Sequence, residues 1–287
     1  MSDEGDDFWR IALDSAEERR EIFKPVDDED DQDLRALVIK THKPFPYHLP
    51  IMNITLNLTS LAATEGVWSP LGADAWYASA LLTNMLLTNN NIFPEATYSN
   101  SLTVLELGSG AVGLSGMACA VALNLSKTYE NCKVVLTDND APVLETLRWN
   151  VERNQKTITE TGNVEVCVQH LDWNDDCSDD FRDSIDLVIG SELVYTKETA
   201  LACFSLLEQL LENKKFTEVW VVQVTDRFGW LDIVLPKLKA IGAHIREIPI
   251  SCHVHDLACA MISMGDAIDR EAYGGFCISR KEDVYGK

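Results

Sequence analysis

The sequence predicts an α/β protein, with a mostly parallel sheet and helices on both faces. Three observations carry that expectation. Short apolar runs alternate with amphipathic stretches over most of the chain. The first run of the series passes directly into a glycine-rich turn and then a helical pattern. Polar residues able to do chemistry gather just after the runs end, the edge at which open parallel sheets collect ligands.

The predicted strands are Thr103–Leu107, Lys133–Thr137, Val164–Gln169, Asp186–Gly190, Glu218–Thr225, His244–Pro249 and Gly275–Ser279. Helices are predicted between most of them, at Val112–Leu125, Pro142–Asn154, Lys197–Glu212 and Gly229–Ala240. Leu201, Phe204, Leu207 and Leu211 recur at helical spacing, and Gly242 marks a helix end. Ahead of this series, Met52–Thr59 alternates strictly between apolar and polar residues, as a half-exposed strand does. Asp74–Leu87 reads as a helix with Ala75, Ala78, Leu82 and Met85 along one face. Residues 1–47 are polar and interrupted by Pro25, Pro44 and Pro46, with a short helix near Phe8–Phe23 and a solvated, mobile run at Asp27–Asp33. The expected organisation is an acidic, partly disordered extension over 1–47 and one catalytic-size domain over 48–287.

The 287 residues carry 24 Lys plus Arg against 46 Asp plus Glu, a net charge of -22. Hydrophobic residues make up 46%, enough for a full core. Such a charge disfavours nucleic acid and anionic membrane surfaces as partners, while basic proteins remain open. The charge is uneven: residues 1–33 hold fourteen acids against four bases, net -10, leaving -12 for the rest. No stretch reaches eighteen apolar residues and no signal peptide is visible, so a cytoplasmic or also nuclear location is expected. The eight cysteines lie in apolar segments and read mostly as reduced, buried small hydrophobes.

The strongest chemical signal is Val104-Leu105-Glu106-Leu107-Gly108-Ser109-Gly110-Ala111-Val112-Gly113. Gly108 and Gly110 let backbone approach a ligand closely, and Gly113 lets the helix pack tightly on the strand. The same glycines satisfy the dinucleotide pattern, so a NAD-dependent oxidoreductase is open at this point. Glu106 is awkward near a pyrophosphate. It suits a ligand with an ammonium and a sulfonium, which is S-adenosylmethionine. Asp138, followed by Asn139 at the end of the next strand, can accept ribose hydroxyls and serves either ligand.

Two further motifs follow strand ends. His170-Leu171-Asp172-Trp173 offers an acceptor for adenine amino hydrogens and an indole to stack on a purine. Ile189-Gly190-Ser191-Glu192-Leu193-Val194-Tyr195 follows the fourth predicted strand.

Taken in order, ELGSGAVG, LTDND, LDW and SELVY resemble family 16 of the seven-strand S-adenosylmethionine-dependent methyltransferases. That group contains protein-lysine methyltransferases of translation factors and chaperones, with some members that modify other residues. The resemblance covers about residues 50–280. The family's acid-x-x-Tyr/Phe signature falls on Glu192-Leu193-Val194-Tyr195, with Glu where Asp is usual. Its helix-opening Trp falls on Trp76 in Trp76-Tyr77-Ala78-Ser79-Ala80-Leu81, with Trp68 as a competitor. Cys277-Ile278-Ser279-Arg280-Lys281 looks like the last strand and basic end.

The resemblance implies a Rossmann-like seven-strand sheet whose last strand is antiparallel, and S-adenosylmethionine as cofactor. It implies methyl transfer to a lysine of a protein substrate; the acidic charge makes that substrate one of basic character, and a monomer is expected. Glu192 would orient the target amine and Tyr195 would close the pocket. Trp76, Glu106, Gly108, Gly110, Asp138, Asn139, Asp172, Trp173 and Ser191 would line the cofactor. Transfer to another residue type or to a small molecule is the alternative.

Other constellations lead elsewhere less well. Cys252-His253-Val254-His255, with Asp256 and Cys259, lacks a structural-zinc spacing and reads as a loop, so no metal is expected. Asp172, Asp175, Asp176, Asp179, Asp180 and Asp183 form an acidic loop, either solvated or a docking surface for a basic protein. There is no nucleophile elbow and no P-loop Lys, which leaves hydrolase and nucleotide-triphosphatase readings without residues.

Overall fold

The computed structural model describes residues 45–60, 72, 74–89, 92–93, 100–126, 128–159, 162–212, 218–262 and 268–280. The expected helix at Phe8–Phe23, the run Asp27–Asp33 and Trp68 lie outside these residues.

A two-stranded antiparallel hairpin comes first: β1 (Phe45–Leu49) and β2 (Ile54–Leu58), registered Phe45 to Leu58 and Leu49 to Ile54. β1 was not anticipated, because Pro46 argues against a strand; an edge position tolerates it, since proline lacks only the donor. Met52 and Asn53 form the turn instead of extending β2.

The main elements then alternate: α1 (Tyr77–Thr88), β3 (Ser101–Leu107), α2 (Leu114–Ser126), β4 (Asn131–Asp138), α3 (Ala141–Ile158), β5 (Val164–His170), the short α4 (Asp179–Ser184), β6 (Leu187–Ser191), α5 (Lys197–Glu212), β7 (Glu218–Val224), α6 (Leu235–Ala240), β8 (His244–Ile248), α7 (Cys252–Ile262) and β9 (Tyr273–Ser279). Seven strands form one sheet in the order β5-β4-β3-β6-β7-β9-β8. β3, β4, β5, β6 and β7 pair in parallel, while β9 runs antiparallel to both β7 and β8. This is the expected α/β architecture, with the reversed strand placed between its neighbours.

Period-two alternation distributes each strand between two cores. Leu102 and Val104 of β3, with Val134 and Leu136 of β4, join the core shared with α1, α2, α3 and α7. Leu105 and Leu107, with Val135, Val188, Val219 and Val221, join the opposite core under α5 and α6. Strands buried on both faces explain why these segments read as continuous apolar runs rather than alternations.

Several elements differ from expectation in instructive ways. α1 buries ten of its twelve residues rather than one face, because it packs against α2, α7 and β7. The predicted helix at Gly229–Ala240 is broken into a π-helical turn at Trp230–Val234 and α6, and Pro236 sits where a first-turn proline is tolerated. The Cys252 segment is a helix, not a loop. Val254, Ala258 and Met261 bury one stripe, and His255 Nδ1 lies 2.9 Å from the Tyr77 hydroxyl of α1. Part of the acidic loop is helical too, as α4, capped by the Ser178 hydroxyl. Four of the eight cysteines are buried, three are half-buried and Cys252 is exposed.

The helix α3 ties the hairpin to the sheet. Asn154 pairs its amide with both backbone groups of Asn57, at 2.9 Å each way. Asn150, wholly buried, does the same for Thr59 at 2.7 Å each way and also donates to the Ala111 carbonyl at 2.8 Å. Two asparagines one turn apart thus supply donor and acceptor to the chain leaving β2, satisfying backbone groups that burial would otherwise orphan.

Candidate active site

β3 and β6 are neighbours whose chain connections leave in opposite directions, since β4 lies on one side of β3 and β7 on the far side of β6. A crevice opens at the carboxyl ends of strands at such a switch point. The glycine turn leaves β3 there and the SELVY segment leaves β6 there.

The glycine turn is stitched to β4. Ser109 N–H donates to the Thr137 carbonyl at 2.8 Å, Thr137 N–H donates to Ser109 Oγ at 3.0 Å, and Thr137 Oγ1 donates to the Glu106 carbonyl at 2.6 Å. Gly108 and Gly110 have φ of 58° and 63°, in the left-handed region. A Cβ on Gly110 would also lie 2.9 Å from the carbonyl oxygen of Gly72, whose oxygen accepts from Ala111 N–H at 2.6 Å. Only glycine serves there.

Asp138 ends β4 and faces this turn. Its Oδ2 accepts from Gly110 N–H at 3.1 Å, and its Oδ1 accepts from Asn139 and Asp140 N–H at 2.9 and 3.2 Å. Burial raises its pKa, and these three donors hold it back. The carboxylate is therefore fixed in place beside the turn. Asn139 is exposed next to it.

The other motifs converge on Gly108. A Cβ at that position would lie 3.5 Å from the Trp173 ring and 3.6 Å from Leu193 Cδ2. Leu171 N–H donates to the Asp138 carbonyl at 3.0 Å, which carries the LDW turn to the same edge. Asp172 Oδ1 accepts from the Asn174 backbone and side chain at 2.9 and 2.8 Å. Ser191 is half-buried at the end of β6. Trp76 caps the start of α1 and is 40% exposed, with its carbonyl accepting from the Ser79 hydroxyl at 2.6 Å.

Glu106 is placed differently from the other residues expected to line a cofactor. Strand alternation sends it to the α2 side, where it is 3% exposed. Its Oε1 accepts from Gly116 N–H at 3.0 Å and its Oε2 has no hydrogen-bond partner. Burial pushes its pKa up to about 7, against the pull of Ser109, the Gly116 N–H and Ser115.

Glu192 is one of two non-glycine residues of positive φ among the described residues, at 52°. A carboxylic acid held in that region costs on the order of 1 kcal/mol or more, a strain common at functional sites. Its side chain is 8% exposed; Oε1 accepts from Val224 N–H at 3.2 Å and Oε2 is ion-paired with Arg227. Burial raises its pKa and the Arg227 charge opposes the rise. Tyr195, three residues on, is 36% exposed.

Three residues of this site were not anticipated. Arg227 follows β7 and reaches Glu192 across 35 positions of sequence. Gln223, wholly buried in β7, donates to the Val194 carbonyl at 2.8 Å and accepts from Val194 N–H at 3.3 Å, pinning the SELVY turn. Gly72 covers the glycine turn. A usable signal existed for two of them: a polar Gln223 ending an apolar strand, and a base just beyond it at the ligand edge.

A sheet of this order, with a glycine turn, a strand-end acid and an acid-x-x-Tyr turn meeting at its switch point, defines the class of seven-strand S-adenosylmethionine-dependent methyltransferases. The chain belongs to methyltransferase family 16, whose model, described as lysine methyltransferase, matches residues 56–227. With that membership the NAD-dependent reading falls.

The chain is 28% identical over 141 residues to a calmodulin-lysine N-methyltransferase of Arabidopsis thaliana, covering 49% of this chain and 43% of that protein. It is 33% identical over 107 residues to the protein N-lysine methyltransferase METTL21A of Danio rerio, covering 37% and 43%. The matched segments span less than half the length of each relative. The solved methyltransferase domain of bacterial CtHen1-C aligns over 71% of this chain and 99% of its own, with a TM-score of 0.44 at 13% identity.

The residues present fit S-adenosylmethionine. The turn beside Asp138 is a cradle that side chains at Gly108 or Gly110 would fill, and Asp138, held by three backbone donors, would serve as acceptor for ribose hydroxyls. The Trp173 ring beside Gly108 offers an apolar plane for adenine. Among the described residues no group of three or more His, Cys, Asp or Glu could hold a metal ion.

Proposed function

We propose that the chain transfers methyl groups from S-adenosylmethionine to a nitrogen of a protein substrate, with lysine as the target. The observation that carries this reading is the packing of the Glu192–Tyr195 turn on the glycine turn through Leu193 and Gly108. It sets an acid and an exposed tyrosine beside the cofactor cradle. The names of the Arabidopsis and Danio relatives, both lysine methyltransferases, support the choice of residue.

S-adenosylmethionine supplies an electrophilic methyl on a sulfonium. The chain's own residues then have three tasks. Asp138 and the glycine turn bind and orient the adenosyl end. Glu192 accepts a hydrogen bond from the target nitrogen and fixes its approach line, so that positioning carries much of the rate. Tyr195 covers the entrance and excludes water; a free lysine amine has a pKa of about 10.4, and a dry, low-dielectric pocket favours its neutral, nucleophilic form. The exposed Asp175, Asp176, Asp180 and Asp183, which follow Trp173 in the chain, support a basic substrate protein. A cytoplasmic or nuclear site of action agrees with this reading.

The test is transfer of a labelled methyl group into a cell extract, with mass spectrometry of the labelled product. A methylated lysine in one protein is the expected result. Label confined to small molecules, or to another residue type, would replace the proposal.

A further inference from the structure

The Glu192 carboxylate does not stand alone at the site. Arg227 forms an ion pair with Oε2 while Val224 N–H occupies Oε1, and Glu192 is almost entirely removed from solvent. Two further ionisable groups surround the pair. Asp226 precedes Arg227, and the Tyr273 phenol approaches from β9, its pKa pushed up to about 12 by burial first and the Glu192 charge second. A lone buried carboxylate facing an amine would stabilise the ammonium and so hold the nucleophile in its unreactive form. An ion-paired carboxylate keeps its lone pairs as hydrogen-bond acceptors but contributes little net field.

From this juxtaposition of Glu192 and Arg227, we infer that Arg227 is a positioning residue that cancels the Glu192 charge, so that the site accepts the target nitrogen neutral and rejects it as a cation. The inference rests on the reading of Glu192 given above and adds to it the charge state of the group admitted. Arg227 acts through Glu192 and touches no reacting atom in this scheme.

The test uses two cofactor analogues and the full chain. Sinefungin carries an ionisable amine where the methylsulfonium stands, and S-adenosylhomocysteine has there an uncharged thioether with no methyl. Calorimetry gives the ratio of their affinities between about pH 6 and about pH 9. Wild type should prefer sinefungin by no more than about threefold, with little pH dependence. Arg227→Gln should raise that preference to about tenfold or more, increasing with pH as the unpaired Glu192 ionises. Arg227→Lys should stay near wild type. Glu192→Gln, which removes the carboxylate charge facing Arg227, should turn the ratio against sinefungin.

A wild-type ratio that already favours sinefungin strongly and climbs with pH overturns the inference without any variant. So does Arg227→Gln that binds S-adenosylhomocysteine normally with an unchanged ratio while Glu192→Gln shifts it; the assignment of Glu192 then survives. Ratios unmoved by Glu192→Gln remove that assignment together with the inference.

Discussion

Glu106 and Gly116 occupy one space between them: the carboxylate accepts the Gly116 N–H at 3.0 Å, and a Cβ on Gly116 would collide with Glu106 Oε2 and with Leu136 of β4. The strand end below the glycine turn and the first turn of α2 are thereby locked together. This sets where the turn projects into the crevice.

Gly116→Ala should be costly despite alanine's better helix propensity. A methyl group driven into that contact is overpacking, worth about 1–3 kcal/mol. Chemical denaturation of the cofactor-free protein gives the number. A stabilisation of the size expected from helix propensity alone would show that α2 shifts freely over β3.

Glu106 also predicts a pH dependence. Its folded pKa is about 7 against an ordinary value of 4.5, so the folded state binds the extra proton. The associated stability is fully present below about 4.5, declines as pH rises through that window and is gone above about 7. A shift of that size corresponds to a contribution on the order of 3 kcal/mol. Glu106→Gln keeps an acceptor for Gly116 N–H and carries no charge. It should match wild type near pH 4 and exceed it near pH 8, measured by denaturation across about pH 4–8. Parallel curves for the two proteins would place the titration elsewhere.

Asp138→Ala removes the acceptor of the Gly110, Asn139 and Asp140 N–H groups and the acceptor proposed for the ribose hydroxyls. Cofactor affinity should fall at least tenfold, as about 1.5–3 kcal/mol per charged hydrogen bond implies. Gly110→Ala should also lose binding, since a non-glycine residue at φ of 63° meets the Gly72 carbonyl. Calorimetry with S-adenosylhomocysteine checks both, and undiminished affinity in Asp138→Ala would move the ribose site away from β4.

Glu192→Ala separates binding from transfer. Affinity for S-adenosylhomocysteine should stay within about threefold, while methyl transfer into the extract falls at least about a hundredfold. Turnover at the wild-type level would take Glu192 out of the chemistry.

The central strands β3, β4, β6 and β7 were legible because they are buried on both faces. Runs such as Leu187–Gly190 and Val219–Val222 are apolar throughout and bounded by polar residues. The glycine turn and the acids at strand ends were legible because they are local in sequence. β1 was not, since Pro46 obscures its pattern. α7 was hidden by its Cys and His residues, although Val254, Ala258 and Met261 carry a helical period. The π-helical turn preserves the apolar content of a regular helix and leaves no compositional mark. The placement of Glu106 could have been read from alternation, since Leu105 and Leu107 flank it on the opposite face. The Arg227–Glu192 pair could not, because chain folding alone brings those two side chains together.

The insertion of β9 between β7 and β8 orders events on the ribosome. Strand β8 is made before β9, yet β9 is the strand it pairs with. Until residues 273–279 emerge, β7 presents an open edge and β8 lacks this partner. The nascent chain then carries the apolar edge of β7 with unmatched backbone donors and acceptors, the state from which edge-to-edge aggregation starts. Chaperone occupancy should therefore peak after β7 has emerged from the ribosome and before β9 has, and subside once β9 closes the gap.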